Sequence, residues 1–307
     1  MQKFSFAAAY RYTAANSLAA PFGAARLGAA GLVAVGLVTP AVASSQPAAV
    51  TGRAASDDIV VTAKLTPRAL SQVGQSVTIV DEATIVARQA TDVIDIIRTV
   101  PGLSVDRNGG MGTTAGVSIR GAESDQTVVL IDGVKLNDPA SPGSGFNFGP
   151  LVAGNVARVE VVRGAQSVLY GSQAIGGVVN LITREPTQQP GGLARVEHGA
   201  RDTSQLTGNL ASRLGPVAAS IGATFLRTDG ISAFNRTRGG AEKDGFENLG
   251  LNGKVRAALT DGAFLDLRGF YADSTVDVDG FTGNGFGDTE QVSYREDLVA
   301  YRPPRCR

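Results

Sequence analysis

The 307-residue sequence predicts an α+β domain followed by the first strands of an antiparallel transmembrane β-barrel that is left incomplete. Three observations carry that expectation. Residues 158–183 read as a strand, a glycine-permitted break, a short amphipathic turn around Leu169 and Tyr170, and a second apolar strand. Gly171, Gly176 and Gly177 fall where the chain must turn sharply or meet other backbone closely. Residues 73–186 as a whole mix helix and strand signals, whereas beyond Gly192 apolar and polar residues alternate at period two.

Composition narrows the function. A formal net charge of zero with 18% charged residues gives no bulk attraction to nucleic acid or to an anionic membrane surface. The single cysteine, Cys306, leads us to expect no intrachain disulfide and no thiolate metal cluster. With His198 as the one histidine, a Ser-His-Asp triad, a two-histidine metal site and a Cys-His pair would each lack members or hang on that residue. The glycine-rich stretch 171–177 is not followed by Gly-Lys-Ser/Thr, so a phosphate cradle is disfavoured. The chain is not expected to be an enzyme.

Residues 1–43 read as a signal peptide. Lys3, Arg11 and Arg26 form a basic n-region, residues 27–38 an apolar run, and Ala41-Val42-Ala43 fits the small-residue cleavage rule. The alternative is a membrane anchor, but the apolar run is short for about 30 Å of hydrocarbon. Residues 44–72 form a flexible tail that begins small, polar and Pro/Ala-rich. In it Asp58, Ile59, Val60, Val61, Thr62 and Ala63 form a β-prone run, either an ordinary strand or a segment that adds to a partner's sheet edge.

The folded domain, 73–186, opens with a strand at 76–80. Asp81 is placed to cap a helix through Gln89, and Thr91 or Asp92 to cap a second. In the second helix Val93, Ile94, Ile97 and Val100 recur at helical spacing before Pro101-Gly102 stops it. Strands at 116–120 and 127–131 end in the turns Arg120-Gly121 and Asp132-Gly133, and a polar loop at 137–150 precedes the 158–183 unit.

Residues 187–301 are read as a partial barrel. At roughly 9–11 residues per strand plus turns they hold about six strands. In 248–259, Leu249, Leu251, Val255, Ala257 and Leu259 share one face, and Asn248, Asn252, Lys254 and Arg256 the other. Segments 204–212, 217–227 and 263–271 repeat the pattern. A half-buried antiparallel sheet in a soluble protein gives the same alternation. Connection lengths favour the barrel, because tight turns at 214–216 and 260–262 alternate with long loops at 229–245 and 279–290. Residues 302–307 contain two prolines and three arginines, which cannot continue a lipid-facing strand, so truncation within the barrel is expected.

The strings TVPGLSV (99–105), IRG (119–121), LIDGV (130–134), VEVVRG (159–164) and YGSQAIGGVVNLIT (170–183) stand in one order and spacing. Over residues 57–183 the chain resembles the plug domain of TonB-dependent outer-membrane receptors. The resemblance implies active uptake of a scarce nutrient across the outer membrane, amid its lipid. TonB, driven by its inner-membrane complex, would pull on the box Asp58, Ile59, Val60, Val61, Thr62 and Ala63. It also implies that Arg120, Asp132, Glu160 and Arg163 form a buried charge network holding plug to barrel, the alternative being local turn chemistry. Barrels of the family have about twenty-two strands. About six cannot close around a plug, so the chain is expected to be a non-functional fragment.

SIRG (118–121), VLIDGV (129–134) and GISAFN (230–235) resemble the cobalamin receptors most closely within the family. By that resemblance the ligand contacts would come from Asn108, Thr114, Gly116, Glu123, Ser141 and Pro142. Thr114, Gly116 and Glu123 stand where those receptors have Leu, Ser and Asn, which keeps a siderophore-type metal chelate open beside cobalamin. Asp244, Asp277, Asp279 and Asp288 would bind calcium from the outer loops, or else be solvated loop charges. The alternative of a different class is a secreted, soluble α/β binding module without transport.

Overall fold

A computed structural model describes residues 7–15, 59–60, 68–136, 145–232, 243–260, 263–282 and 285–302, with side chains for 69–136, 145–232, 243–260 and 263–279. Three short strands come first: β1 (Ala7–Ala15), β2 (Ile59–Val60) and β3 (Arg68–Ala69), the last two paired with each other. The α+β domain follows as β4 (Ser76–Asp81), α1 (Glu82–Ala87), α2 (Val93–Ile97), β5 (Leu103–Arg107), β6 (Ala115–Ile119), β7 (Thr127–Ile131), β8 (Val134–Leu136), β9 (Val156–Arg163), α3 (Ser167–Tyr170) and β10 (Gly177–Thr183).

Both helices start at the predicted caps. Asp81 Oδ1 accepts from the Thr84 N–H at 2.8 Å and Asp92 Oδ1 from the Asp95 N–H at 2.7 Å, each satisfying a free N–H of the first turn. Both end earlier than their apolar periodicity predicts. Gln89 takes a left-handed φ of 48°, which closes α1. After α2, Pro101 restricts Val100, and Thr99 Oγ1 turns back to donate to the Ile96 carbonyl at 2.7 Å.

The domain's main sheet has the order β4-β9-β10-β7-β8, with β10 parallel to β7 and the other pairs antiparallel. The predicted strand–turn–strand unit is the β9–α3–β10 hairpin. At Gly177 the φ is 153°, and a Cβ would stand 2.3 Å from the Val162 carbonyl oxygen. One cluster of buried aliphatics, including Ile94, Ile96, Ile97, Val117, Val159 and Val179, forms the core. β7 is buried on both faces, because Val128 and Leu130 pack instead with Ala174 and Val178. β5 and β6 form a separate hairpin.

Six consecutive antiparallel strands follow: β11 (Gly191–His198), β12 (Ser204–Leu214), β13 (Val217–Thr228), β14 (Phe246–Thr260), β15 (Ala263–Thr282) and β16 (Gly285–Arg302). β1, inside the segment read as a signal peptide, pairs along β16, so the sheet runs β1-β16-β15-β14-β13-β12-β11 and is not closed. One expectation is corrected. Residues 279–290 are not a long loop, since β15 and β16 run on to the pair Thr282–Gly285. The alternation that makes a strand continues through Val276 and Val278, and barrel strands are free to extend beyond the membrane.

Burial along this wall is inverted relative to a soluble sheet. Gln205, Thr207, Asn209, Ser220, Thr224, Asn248, Asn252 and Lys254 are buried against the α+β domain. Leu206, Leu210, Ile221, Leu249 and Leu251 face outward and are exposed, Leu210 by 66% and Ile221 by 62%. A half-buried soluble sheet would turn these faces round, so the alternation is that of a barrel wall. Register aligns Leu206 with Phe225 and Leu249 in one outward row, and Leu214 with Val217 and Ala257 in a lower one. About 27 Å of strand separates these rows, which at a tilt of about 40° covers most of an apolar band about 25 Å tall.

Candidate functional site

The domain meets the wall largely through polar groups, with Ala272 and Phe270 of β15 packed on its aliphatic core. Asp132, in the β7–β8 turn, accepts from the Thr183 N–H at 3.0 Å and from Thr183 Oγ1 at 2.7 Å. Across the seam Lys254 Nζ of β14 donates to Asp132 Oδ1 (2.8 Å), the Thr183 carbonyl (2.7 Å) and Glu185 Oε1 (2.8 Å). Three acceptors match the three N–H bonds of an ammonium. Lys254 and Asp132 are each only 3% exposed, so each needs the other. Arg268 extends the cluster to Glu185 and to Asp266, which also accepts from Arg256. Further links are Asn155 Nδ2 to Thr224 Oγ1 at 2.8 Å, Asn248 Nδ2 to the Pro150 carbonyl at 2.9 Å, and Ser220 Oγ to the Arg184 carbonyl at 3.1 Å.

The four residues expected as one charge network are not brought together. Asp132 reaches the wall, through Lys254. Glu160, fully buried, pairs with Arg158 two residues away at 2.6 Å. Arg163 stays within its own domain, donating to Ser76, Thr78 and the Pro101 carbonyl. Arg120 is exposed in a left-handed turn with a φ of 52°. The reason lies in the sheet: Asp132 follows the C-terminal end of β7, beside the end of β10 that meets β14, whereas Arg163 and Gly177 pair at the opposite end.

The expected ligand residues fall on the β5–β6 hairpin and just after it. Asn108 and Thr114 are exposed at the tip, where the Asn108 N–H donates to the Thr114 carbonyl at 3.0 Å. Gly116 packs against Ser124, the neighbour of exposed Glu123. Ser141 and Pro142 lie outside the described residues. An ion pair between Arg107 and the buried Asp92 anchors the base of the tip to the start of α2. A cavity of about 590 Å³ lies between domain and wall, lined by Asp132, Arg158, Tyr170, Glu185, Arg256 and Arg268 among others. None of the expected ligand residues lines it, so cavity and hairpin are separate features.

Of the β-prone run, Ile59 and Val60 form β2 and pair with Ala69 and Arg68; Asp58, Val61, Thr62 and Ala63 lie outside the described residues. The calcium residues come together in part, since the Gly245 carbonyl, next to Asp244, accepts from the Asp277 N–H at 2.9 Å. Asp277 and Asp279 sit two positions apart in β15 rather than in a loop, and Asp244 lies before β14 and is buried. The Asp288 backbone is in β16, and its side chain is outside the described residues. Among the described residues no three acidic, histidine or cysteine side chains are grouped to hold a metal, so no calcium chemistry is derived.

Electrostatics off the wall is mild. Burial, and then the neighbouring Asp92 carboxylate, push Asp95 above the usual carboxylate range. Burial pulls Lys135 down. At the exposed edge of the outer loop, a hydrogen bond from Lys243 lowers Asp229 and raises Lys243 in return. Sequence reasoning put Lys254 on the polar face but missed its role. The available signal was a cation on the inward face of a membrane strand, which demands an acidic partner inside.

Residues 69–178 match the family model described as the TonB-dependent receptor plug domain. The vitamin B12 transporter BtuB of Vibrio vulnificus strain YJ016 is 31% identical over 222 residues, 72% of this chain and 36% of that protein. The vitamin B12 transporter BtuB of Photobacterium profundum is 33% identical over 239 residues, 76% of this chain and 38% of that protein. The solved pyoverdine outer membrane receptor FpvA from Pseudomonas aeruginosa PAO1, bound to pyoverdine, gives a TM-score of 0.60 at 19% identity. That match covers 71% of this chain and 30% of FpvA, and is a likeness of fold. The chain thus spans 36% and 38% of the length of these two curated relatives.

Proposed function

The chain belongs with the TonB-dependent receptors of the outer membrane, carrying their plug domain and the first antiparallel strands of their barrel, and from that premise we propose that it serves the uptake of cobalamin. The observation that carries a membrane transport role is the inverted wall: polar side chains bonded inward to a plug, aliphatic rows facing out. This arrangement favours transport over a soluble binding module, whose outer rows would face water. Cobalamin is favoured by the vitamin B12 transporters at 31% and 33% identity. The relatives named are transporters and receptors, in keeping with a non-enzymatic role. Asn108, Thr114, Gly116 and Glu123, with Ser141 and Pro142, are the proposed contacts.

TonB is the proposed partner, taken up by strand addition at Asp58, Ile59, Val60, Val61, Thr62 and Ala63. Because the sheet is open, transport is proposed for a complete receptor and not for this chain alone. The test is a chimera joining residues 44–302 to the remaining strands of the Vibrio transporter, in cells lacking their own cobalamin receptor. Saturable cyanocobalamin binding and cobalamin-dependent growth are expected. Binding of a ferric siderophore instead would overturn the substrate. Val60→Pro and Val61→Pro should abolish growth and leave binding intact, since proline removes a ladder donor; unchanged growth in both would overturn the box.

A further inference from the structure

Phe246, the first residue of β14, is only 3% exposed, and its ring lies on Gly112 in the tip of the β5–β6 hairpin. A Cβ at position 112 would stand 2.1, 2.5 and 2.7 Å from three ring carbons, and Gly112 has a φ of 83°. Space and backbone conformation both reserve this position for glycine. On the wall side the ring continues directly into the outer loop. The Gly245 carbonyl accepts from the Asp277 N–H at 2.9 Å, and the Asp244 carbonyl oxygen is 1.8 Å from where a Gly230 Cβ would be. On the plug side, Thr113 Oγ1 donates to the Gly110 carbonyl at 2.8 Å. The Thr113 carbonyl oxygen lies 2.2 Å from a Gly149 Cβ position, and the Phe148 N–H donates to the Ala115 carbonyl at 2.9 Å. A close-packed path therefore runs from the base of the outer loop, through one ring, into the hairpin tip.

We propose that Phe246 is a positioning residue that couples the base of the outer loop to the plug hairpin carrying Asn108 and Thr114. Closely packed contacts have discrete arrangements and do not deform continuously, so displacing either partner displaces the other. Its bearing on uptake rests on the reading of that hairpin as a ligand contact. The base of the outer loop then sets the shape of the hairpin, and by linkage the hairpin acts back on that base equally.

The test is amide hydrogen exchange on the full 307-residue chain in detergent micelles. Phe246→Ala should speed exchange at residues 108–114 by about tenfold or more, while the amides of β9 and β10 keep their wild-type rates. Gly112→Ala should speed exchange at Gly245, Phe246 and Asp277, the reciprocal effect, and Phe246→Leu should restore part of the protection. Unchanged exchange at 108–114 in Phe246→Ala would overturn the proposal. So would acceleration spread through β9 and β10, which marks a generally weakened plug. A chimera that fails to bind cyanocobalamin leaves these rates untouched, so failure of the substrate reading and failure of the coupling are told apart.

Discussion

The plug and the wall bury different kinds of side chain along their strands. In the plug, Ile97, Val117, Val159 and Val179 are inside; in the wall, Leu206, Leu210 and Ile221 are outside, and Thr207, Ser220, Thr224 and Asn248 are inside. The difference shows that burial follows the solvent on each side. Aliphatic burial, at about 25 cal/mol per Å², makes the plug a domain in its own right. The seam between plug and wall is held mainly by hydrogen bonds, each worth a net ~0.5–1.5 kcal/mol, and by the desolvated Lys254–Asp132 ion pair, with a few apolar contacts at Phe246, Phe270 and Ala272. The plug is therefore firmer inside than it is attached.

Four substitutions would break or sharpen that contrast. Lys254→Ala leaves Asp132 buried without its cation and should cost about 3–5 kcal/mol of plug stability in a urea titration. Lys254→Ala with Asp132→Asn, which removes the charge and keeps an acceptor for Thr183, should recover part of that loss; a single-variant cost near zero would mean a wet, weak seam. Ile97→Ala, in the plug core, should cost about 2–5 kcal/mol in detergent and bilayer alike. Ile221→Lys should cost about 2–4 kcal/mol in a lipid bilayer. An effect within about 0.5 kcal/mol would place that face in water.

The smallest effect is at Asp95. Its raised folded-state pKa means that the ionised form opposes folding above that pKa, and the penalty fades as pH falls below the unfolded value near 3.9. Asp95→Asn should thus stabilise slightly at pH 7 and not at pH 3. Its side chain is 46% exposed, so solvent screening keeps the gain below about 0.5 kcal/mol by thermal melting.

Much of this is legible from periodicity and capping. Asp81 and Asp92 cap where expected, the 158–183 unit pairs on itself, and the wall's faces divide as the alternation at 248–259 predicts. The three-residue strand β8 is too short for a pattern to stand out. The end of β15 reads as a loop in the sequence because Gly280 breaks the alternation, yet Phe281 and Thr282 still pair with Phe286 and Gly285. The four residues of the expected charge network lie apart for a different reason. Residue types show that Arg120, Asp132, Glu160 and Arg163 need partners, but only the strand order shows which end of the sheet each one occupies. The contact of Phe246 with Gly112 joins residues far apart in sequence, and no local pattern announces it.

The outward rows from Leu206 down to Leu214 also serve as a ruler. A bilayer thicker or thinner than this belt costs a fraction of a kcal/mol per ångström, and a strand wall relieves the mismatch by leaning. Lys254 ties the plug to one of the leaning strands, so the plug inclines with the wall. Lipid thickness then becomes a variable in the pose of the plug, setting the angle of the hairpin tip at residues 108–114 to the bilayer normal.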